Sequence, residues 1–193
     1  DPNALQSYQR FMREHLFDHI DIDPQRCHVP DGRLSSDNVL AACDAYEEKI
    51  RAAGGLDLQL LGIGRTGHIG FNEPGSGPDS RTRMIWLDAI TRRDAASDFF
   101  GEHFVPRRAI TMGVGTILEA KEVVMVAYGE GKAPIIRHAV EGEVTERIPA
   151  TFLQHHPHAT VFLDASAASD LRRCRQPWTL GAVTWNDRTI RKA

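Results

Sequence analysis

The run Val123-Val124-Met125-Val126-Ala127-Tyr128 restricts the fold of this chain more than any other segment. Six apolar residues in a row offer no polar face, so the run reads as a strand buried on both sides. Strands of that kind belong to parallel sheets, because parallel neighbours need crossover connections that lay helices over the sheet. The rest of the sequence agrees. Short apolar runs alternate with segments of helical spacing, and no internal repeat or low-complexity tract interrupts them.

Leu5, Tyr8, Met12 and Leu16 recur at three and four and predict a first helix from about Asn3 to His19. Val39, Cys43, Tyr46 and Ile50 share one face of a second helix, Ser36 to Ala53, with Ser36 as its cap and Gly54 as its stop. Strands are expected at Leu56 to Leu61, Met84 to Leu87, Ala109 to Met112, Val123 to Tyr128 and Thr160 to Leu163. Helices are expected at Asp94 to Phe100, around Thr116 to Ala120, from Gly131 through Val140, and near Ala165 to Leu171. The fold class that follows is α/β, a Rossmann-like parallel sheet with helices on both faces. Ligands of such sheets bind beyond the carboxyl ends of the strands.

Composition narrows the function. The 193 residues carry 41% hydrophobic and 25% charged side chains, ordinary values for a packed domain. Lys plus Arg number 23 against 26 Asp plus Glu, a net charge of -3, which disfavours nucleic acid as the main partner. No apolar run approaches the roughly 18 residues of a membrane span, and no signal peptide opens the sequence. Cys27, Cys43 and Cys174 form no CxxC pair and leave an odd thiol, which fits a reducing cytoplasm. The sequence divides into a domain of residues 1–173 and a C-terminal arm or linker, 174–193, with strand-like composition around Trp178 and Trp185.

The densest chemistry lies in Leu61-Gly62-Ile63-Gly64-Arg65-Thr66-Gly67-His68-Ile69-Gly70-Phe71-Asn72-Glu73-Pro74-Gly75, directly after a strand. Its glycines let the backbone approach a ligand and take up positive φ. Histidine exchanges protons near neutral pH, and a nearby carboxylate such as Glu73 orients the imidazole and favours its charged form. Gly62, Gly64 and Gly67 satisfy a GxGxxG spacing, but that fingerprint needs a helix opening at the third glycine. Gly70, Pro74, Gly75, Gly77 and Pro78 follow too closely for one. No GxxxxGK[ST] is present, so a Walker-type phosphate loop is excluded. Two further features stand out. Lys132 falls where a strand passes into a helix, a place where free amides favour an anion. His155-His156-Pro157-His158 reads as a surface loop and not a metal site.

The glycine-rich stretch closely resembles the signature of the glucosamine-6-phosphate deaminases, G-x-G-x-D-G-H-I-x-F-N-E-P. Further matches in order are Ser7-Tyr8, Phe11-Met12, Tyr46 to Ile50, Asp79 to Arg83, Phe99-Phe100, Ile110 to Leu118 and Ala139 to Gly142. The resemblance spans about residues 5 to 165, and Phe71-Asn72-Glu73-Pro74 is similar to the deaminases and not to the related 6-phosphogluconolactonases. It implies a reaction without cofactor or metal, in which an amino-sugar phosphate is opened, isomerised from aldose to ketose and deaminated. Fructose 6-phosphate and ammonia are the products expected from glucosamine 6-phosphate. By the same resemblance His68 is the ring-opening acid-base, Glu73 its acidic partner and Lys132 a phosphate ligand. Gly62, Gly67 and Gly70 are then expected to lie against the substrate. The implied setting is a cytoplasmic enzyme of carbohydrate metabolism, compatible with a homo-oligomer, with a small-molecule partner and neither nucleic acid nor membrane.

Three departures qualify the resemblance. Thr66 stands where the family has an aspartate, and it brings a hydroxyl without charge. Alignment on Phe99-Phe100 puts Asp98 where the family has a phosphate-binding arginine; Arg92 or Arg93 could substitute from the preceding turn. The family's N-terminal third, with its phosphate loop and general-base aspartate, has no counterpart in the sequence. Ser76 and Arg83 match the family's allosteric sugar-phosphate site, but Ile85 replaces its lysine. The arm around Pro177-Trp178 is similar to the junction of proteins that fuse a deaminase-like domain to a de-N-acetylase-like one. Two alternatives stay open: a relative acting on another amino sugar or sugar phosphate, and a non-catalytic sugar-phosphate-binding domain.

Overall fold

A computed structural model describes residues 1–176. The predicted arm beyond Gln176 lies outside the described residues.

Three strands form a parallel sheet in the order β1 (Leu58–Leu61), β4 (Glu122–Ala127), β5 (Ala159–Leu163). The all-apolar run is thus the central strand, as its composition requires. Between β1 and β4 the chain makes a separate antiparallel pair, β2 (Arg83–Trp86) with β3 (Arg108–Thr111), in register from Arg83 opposite Thr111 to Trp86 opposite Arg108. These two strands were expected in the parallel sheet. Their spacing is compatible with either arrangement, and only the path of the chain separates them.

The helices are α1 (Tyr8–His15), α2 (Ser36–Ala52), α3 (Ala89–Asp94), α4 (Val114–Leu118), α5 (Ala133–Glu141) and α6 (Arg172–Arg175). Helix α1 is shorter than predicted, because Ser7 caps its start and Leu16 leaves helical geometry at its end. Helix α2 holds its predicted range to within a residue, with Ser35 at the cap position and positive φ at Gly54 ending it. The helix predicted at Asp94 to Phe100 is instead α3, displaced toward the N-terminus. Asp88 accepts a hydrogen bond from the amide of Ile90 and fixes its start. Phe100 then takes a φ of 61°, which no helix continues. Likewise α6 begins at Arg172, after the predicted Ala165 to Leu171 stretch has passed in turns.

Alternation along the strands gives the sheet two unlike faces. On one face Leu61, Val123, Met125 and Ala127 are buried. They pack with Ile117 of α4, Ile136 and Ala139 of α5, and Ala150 and Leu153 of the 3-10 segment Pro149–His155. The other face carries Leu58 at 57% exposure, Leu60 at 65%, Val126 at 42% and Phe162 at 58%. Among the described residues, therefore, the packed core sits on one side of the sheet.

A buried carboxylate fastens α2 to the rest of the domain. Glu47 Oε1 accepts from the Thr82 amide at 2.8 Å, from the Thr82 hydroxyl, and from the Thr116 hydroxyl at 2.6 Å. Its other oxygen lies 3.2 Å from the Arg81 guanidinium. Burial opposes ionisation of Glu47, but those hydrogen bonds and the Arg81 charge outweigh it and hold the carboxyl below its ordinary value. His156, expected in a surface loop, is buried. It bonds the Ala120 carbonyl through Nε2 at 2.8 Å and accepts the His158 amide at Nδ1, so its role is internal packing. Among the described residues no helix is long and apolar enough to cross a membrane.

Candidate active site

The carboxyl end of β1 runs into the loop from Gly62 to Gly75, and His68 lies inside it with 14% of its side chain exposed. Gly64 makes room for the ring: a Cβ there would stand 2.1 Å from His68 Cε1 and 2.3 Å from Nε2. The imidazole therefore rests on bare backbone, a position that no side chain at 64 would permit. Gly67, at a φ of 82°, turns the chain back so that its amide bonds the Gly64 carbonyl at 2.9 Å.

Three oxygens converge on His68 Nδ1. Thr66 Oγ1 lies at 2.9 Å, Glu73 Oε2 at 3.2 Å and Thr91 Oγ1 at 3.3 Å. The Thr66 hydroxyl donates to Glu73 Oε2 at 3.1 Å, which leaves its lone pairs to face the imidazole. An ionised carboxylate only accepts, so the proton between the ring and Glu73 belongs to Nδ1. Nε2 then carries the lone pair and is the nitrogen free to take up a proton. Glu73 is itself held from the other side, where its Oε1 accepts the Asp88 amide at 3.2 Å. Burial works against the charge on Glu73, but hydrogen bonds from His68, Thr91 and the Asp88 amide prevail and lower its pKa.

The loop is anchored below the site by Asn72, which is fully buried. Its Nδ2 donates to the carbonyls of Ile69 and Met112 at 2.9 and 2.8 Å, and its Oδ1 accepts from Arg83 at 2.9 Å. Arg83 also reaches the Ser76 hydroxyl at 2.8 Å. Phe71 beside Asn72 packs near the His68 ring, 6.1 Å between centroids.

The neighbouring strand end supplies the second part of the site. After β4, Gly129 at a φ of 86° leads into the 3-10 turn Glu130–Lys132 and then α5. The Lys132 ammonium donates to the Ile63 carbonyl at 2.7 Å, one residue before the glycine that supports His68. Its remaining protons face a cavity of about 400 Å³ lined by Arg65, Asp94, Tyr128, Gly131 and Lys132. Across it Arg65 pairs with Asp94 through two hydrogen bonds, at 2.8 and 2.6 Å.

The structure thus brings His68, Glu73 and Lys132 to adjacent strand ends. The three predicted substrate-contacting glycines are dispersed: Gly62 has open space beside it, Gly67 backs onto Ile148 and Ile135, and Gly70 onto Thr111. Asp98 is turned toward the N-terminal segment. Its carbonyl accepts from Gln6, and after burial its charge is the second cause that raises the Tyr8 phenol. Arg92, a suggested replacement for the missing arginine, donates to the Leu87 carbonyl at 2.7 Å. Thr91 and Asp88 escape sequence reasoning. The α3 cap signal at Asp88 is legible, but nothing local announces that α3 meets the His68 loop.

A sequence profile of the family described as glucosamine-6-phosphate isomerases/6-phosphogluconolactonase matches residues 1–162. The chain belongs to the glucosamine-6-phosphate deaminase family. It is 55% identical over 166 residues to a glucosamine-6-phosphate deaminase of Shewanella woodyi, covering 86% of this chain and 62% of that protein. It is 45% identical over 191 residues to a glucosamine-6-phosphate deaminase-like protein of Bacteroides thetaiotaomicron, covering 99% of this chain and 29% of that one. Among solved structures it is similar to a monomeric glucosamine-6-phosphate deaminase, with a TM-score of 0.82 and 42% identity over 88% of this chain and 68% of the other. The chain thus spans less than two thirds of the first curated relatives it matches. In these family terms the α/β architecture with its parallel sheet is that of the deaminases.

Proposed function

We propose that this deaminase-family site converts glucosamine 6-phosphate and water to fructose 6-phosphate and ammonia, as a hydrolase that isomerises aldose to ketose. The observation that supports it is the geometry of His68. Its Nδ1 faces Glu73, Thr66 and Thr91 while Nε2 keeps its lone pair. In this reading His68 Nε2 moves the proton at the ring oxygen as the sugar opens. Glu73 holds the tautomer and stabilises the imidazolium that forms. Lys132 neutralises the phosphate from the neighbouring strand end, helped by the start of α5. No metal or cofactor is needed for a step of this kind. The domain is residues 1–173, with 174–193 as an arm or linker.

The family's general base and phosphate loop have no counterpart here, so the 193-residue chain alone is expected to release ammonia far below ordinary enzymatic turnover. The decisive test uses a single polypeptide joining this chain to the stretch of the Shewanella woodyi deaminase that lies outside the match. In that protein His68→Ala is expected to lower kcat by about 10²- to 10⁴-fold with a much smaller effect on KM. An unchanged kcat would assign His68 to packing alone.

Thr66 supports a second reading, a relative acting on a different amino-sugar phosphate. The hydroxyl contacts His68 where the family carries a charge, so the proton affinity demanded of the ring oxygen differs. Substrate profiling of the joined protein separates the two.

A further inference from the structure

The cavity beside Lys132 holds an ion pair that the proton chemistry at His68 does not use. Arg65 and Asp94 both line it, and they meet through two hydrogen bonds, Nε to Oδ2 at 2.8 Å and Nη2 to Oδ1 at 2.6 Å. A planar guanidinium fork matches a carboxylate and a phosphate by the same two-point geometry. Lys132 enters the same cavity from the β4 turn, tethered to the Ile63 carbonyl two residues before Arg65. Gly131 beside it contributes backbone without a side chain, and a Cβ built there would meet nothing within 4 Å. Two cations thus share one cavity, and a single carboxylate is set against them.

Charge decides which partner Arg65 keeps when an anion enters. A phosphate monoester carries roughly two negative charges at neutral pH, which Lys132 and Arg65 balance together and Lys132 alone does not. With Asp94 still in place, about three negative charges would face two positive ones, and carboxylate and phosphate would compete for one fork. The pair is also easily exchanged. Its side chains are 53% and 42% exposed, so water screens the attraction. Asp94 is moreover the last residue of α3, the end of a helix where negative charge is disfavoured. The other contacts of α3 with the His68 loop lie further back: the Asp88 amide on Glu73 and the Thr91 hydroxyl near His68 Nδ1. Neither contact needs Asp94, so the imidazole keeps its orientation while the fork changes partner.

We propose that Arg65 is a specificity-determining residue for the phosphate group, and that Asp94 is an internal stand-in that yields the guanidinium when a phosphate ester binds beside Lys132. The inference rests on the reading of Lys132 as a phosphate ligand and deepens it. It adds the cation that completes the charge balance and the carboxylate that must give way.

The test titrates the 193-residue chain with inorganic phosphate at low ionic strength and follows it by nuclear magnetic resonance. The side-chain Nε–H signal of Arg65 reports its partner, and the backbone amides of Gly131 and Lys132 report affinity. Phosphate is expected to shift the Arg65 signal. Arg65→Gln should weaken binding about tenfold, as the loss of a charged hydrogen bond implies. Asp94→Asn should tighten it about two- to fivefold, since a half-exposed ion pair no longer competes. In the double variant the gain from Asp94→Asn should vanish, because no fork is left to release. Arg65→Lys keeps the charge without the fork and should fall between the parent and Arg65→Gln. Circular dichroism of all these variants should match the parent. A gain from Asp94→Asn that persists without Arg65 would mean that Asp94 only repels phosphate through space, and would overturn the exchange. An Arg65 signal indifferent to phosphate would overturn the proposal outright. If Lys132→Met still weakens binding in that case, the deaminase reading keeps its phosphate lysine and only the role of Arg65 falls. If neither Lys132→Met nor Arg65→Gln matters, both fall.

Discussion

Two neighbouring strand ends build the site in opposite ways. The loop after β1 holds His68 with three side-chain oxygens gathered around the Nδ1–H, on a glycine that leaves no slack. The turn after β4 presents Lys132 with a single hydrogen bond to the Ile63 carbonyl, at the edge of an open cavity. The difference matches the roles proposed for the two groups. Proton transfer requires a particular nitrogen in a particular tautomer within hydrogen-bond reach, whereas a charge acts over several ångströms and tolerates movement. The more tightly held group is the one proposed to transfer a proton.

If that contrast is right, small steric changes should hurt the first loop most. In the joined protein Gly64→Ala drives a methyl group into the imidazole and should displace it by an ångström or more. A misplacement of that size costs about 10²-fold in kcat, with little change in the circular dichroism of the fold. Normal turnover in Gly64→Ala would show that His68 is not held for chemistry.

The β4 turn should instead respond to charge. Lys132→Met is expected to weaken binding of a hexose 6-phosphate by about tenfold or more, as the loss of a charged hydrogen bond implies. Binding of the unphosphorylated sugar should change little, and the difference should shrink as salt rises. Equal losses for both sugars, measured by titration calorimetry, would mean that Lys132 supports the loop through Ile63 and does not read phosphate.

A third comparison sets the site carboxylate against the structural one. Glu73 and Glu47 both have folded-state pKa values below the ordinary 4.5. For a lowered carboxylate the contribution to stability is fully present above the unfolded value. It is lost as the pH falls through the lower, folded value. The domain should therefore lose stability below about pH 4.5, with Glu47 a main source through its bonds to Thr82, Thr116 and Arg81. Glu47→Gln should cost about 1 to 3 kcal/mol at neutral pH and flatten that acid limb, as followed by urea denaturation. A variant with an unaltered acid limb would remove Glu47 from the account.

The smallest effect concerns Asp98, which faces Gln6 and Tyr8 and does not line the Lys132 cavity. If phosphate nevertheless lies near it, Asp98→Arg should tighten hexose 6-phosphate binding by a few-fold at low salt, since the interaction reverses sign. Unchanged affinity would place the second phosphate cation elsewhere, with Arg65 beside the same cavity the next residue to substitute.

Much of the molecule was legible in the sequence because the signals are local. The alternation of periods 2.0 and 3.6 marked the strands and helices, and six apolar residues in a row marked the central strand. The spacing of glycines around His68 marked a loop that must approach something closely, and the structure names the neighbour: the imidazole itself rests on Gly64. Ends of elements were less legible. The helix expected at Asp94 to Phe100 forms instead at Ala89–Asp94, where the Asp88 side chain accepts the Ile90 amide and fixes its start.

What tertiary structure alone decided were the meetings between distant segments. Thr91 reaches His68 across 23 positions, and Lys132 reaches the Ile63 carbonyl across 69. Only the chain's path brings Glu47 to Thr82 and Thr116, buries His156 against Ala120, and pairs β2 with β3 antiparallel. Periodicity records which side of an element avoids water, because neighbouring residues on that element share the same surroundings. It does not record what covers that side. The run from Val123 to Tyr128 is apolar throughout, and among the described residues it is the Val123, Met125 and Ala127 side that is buried.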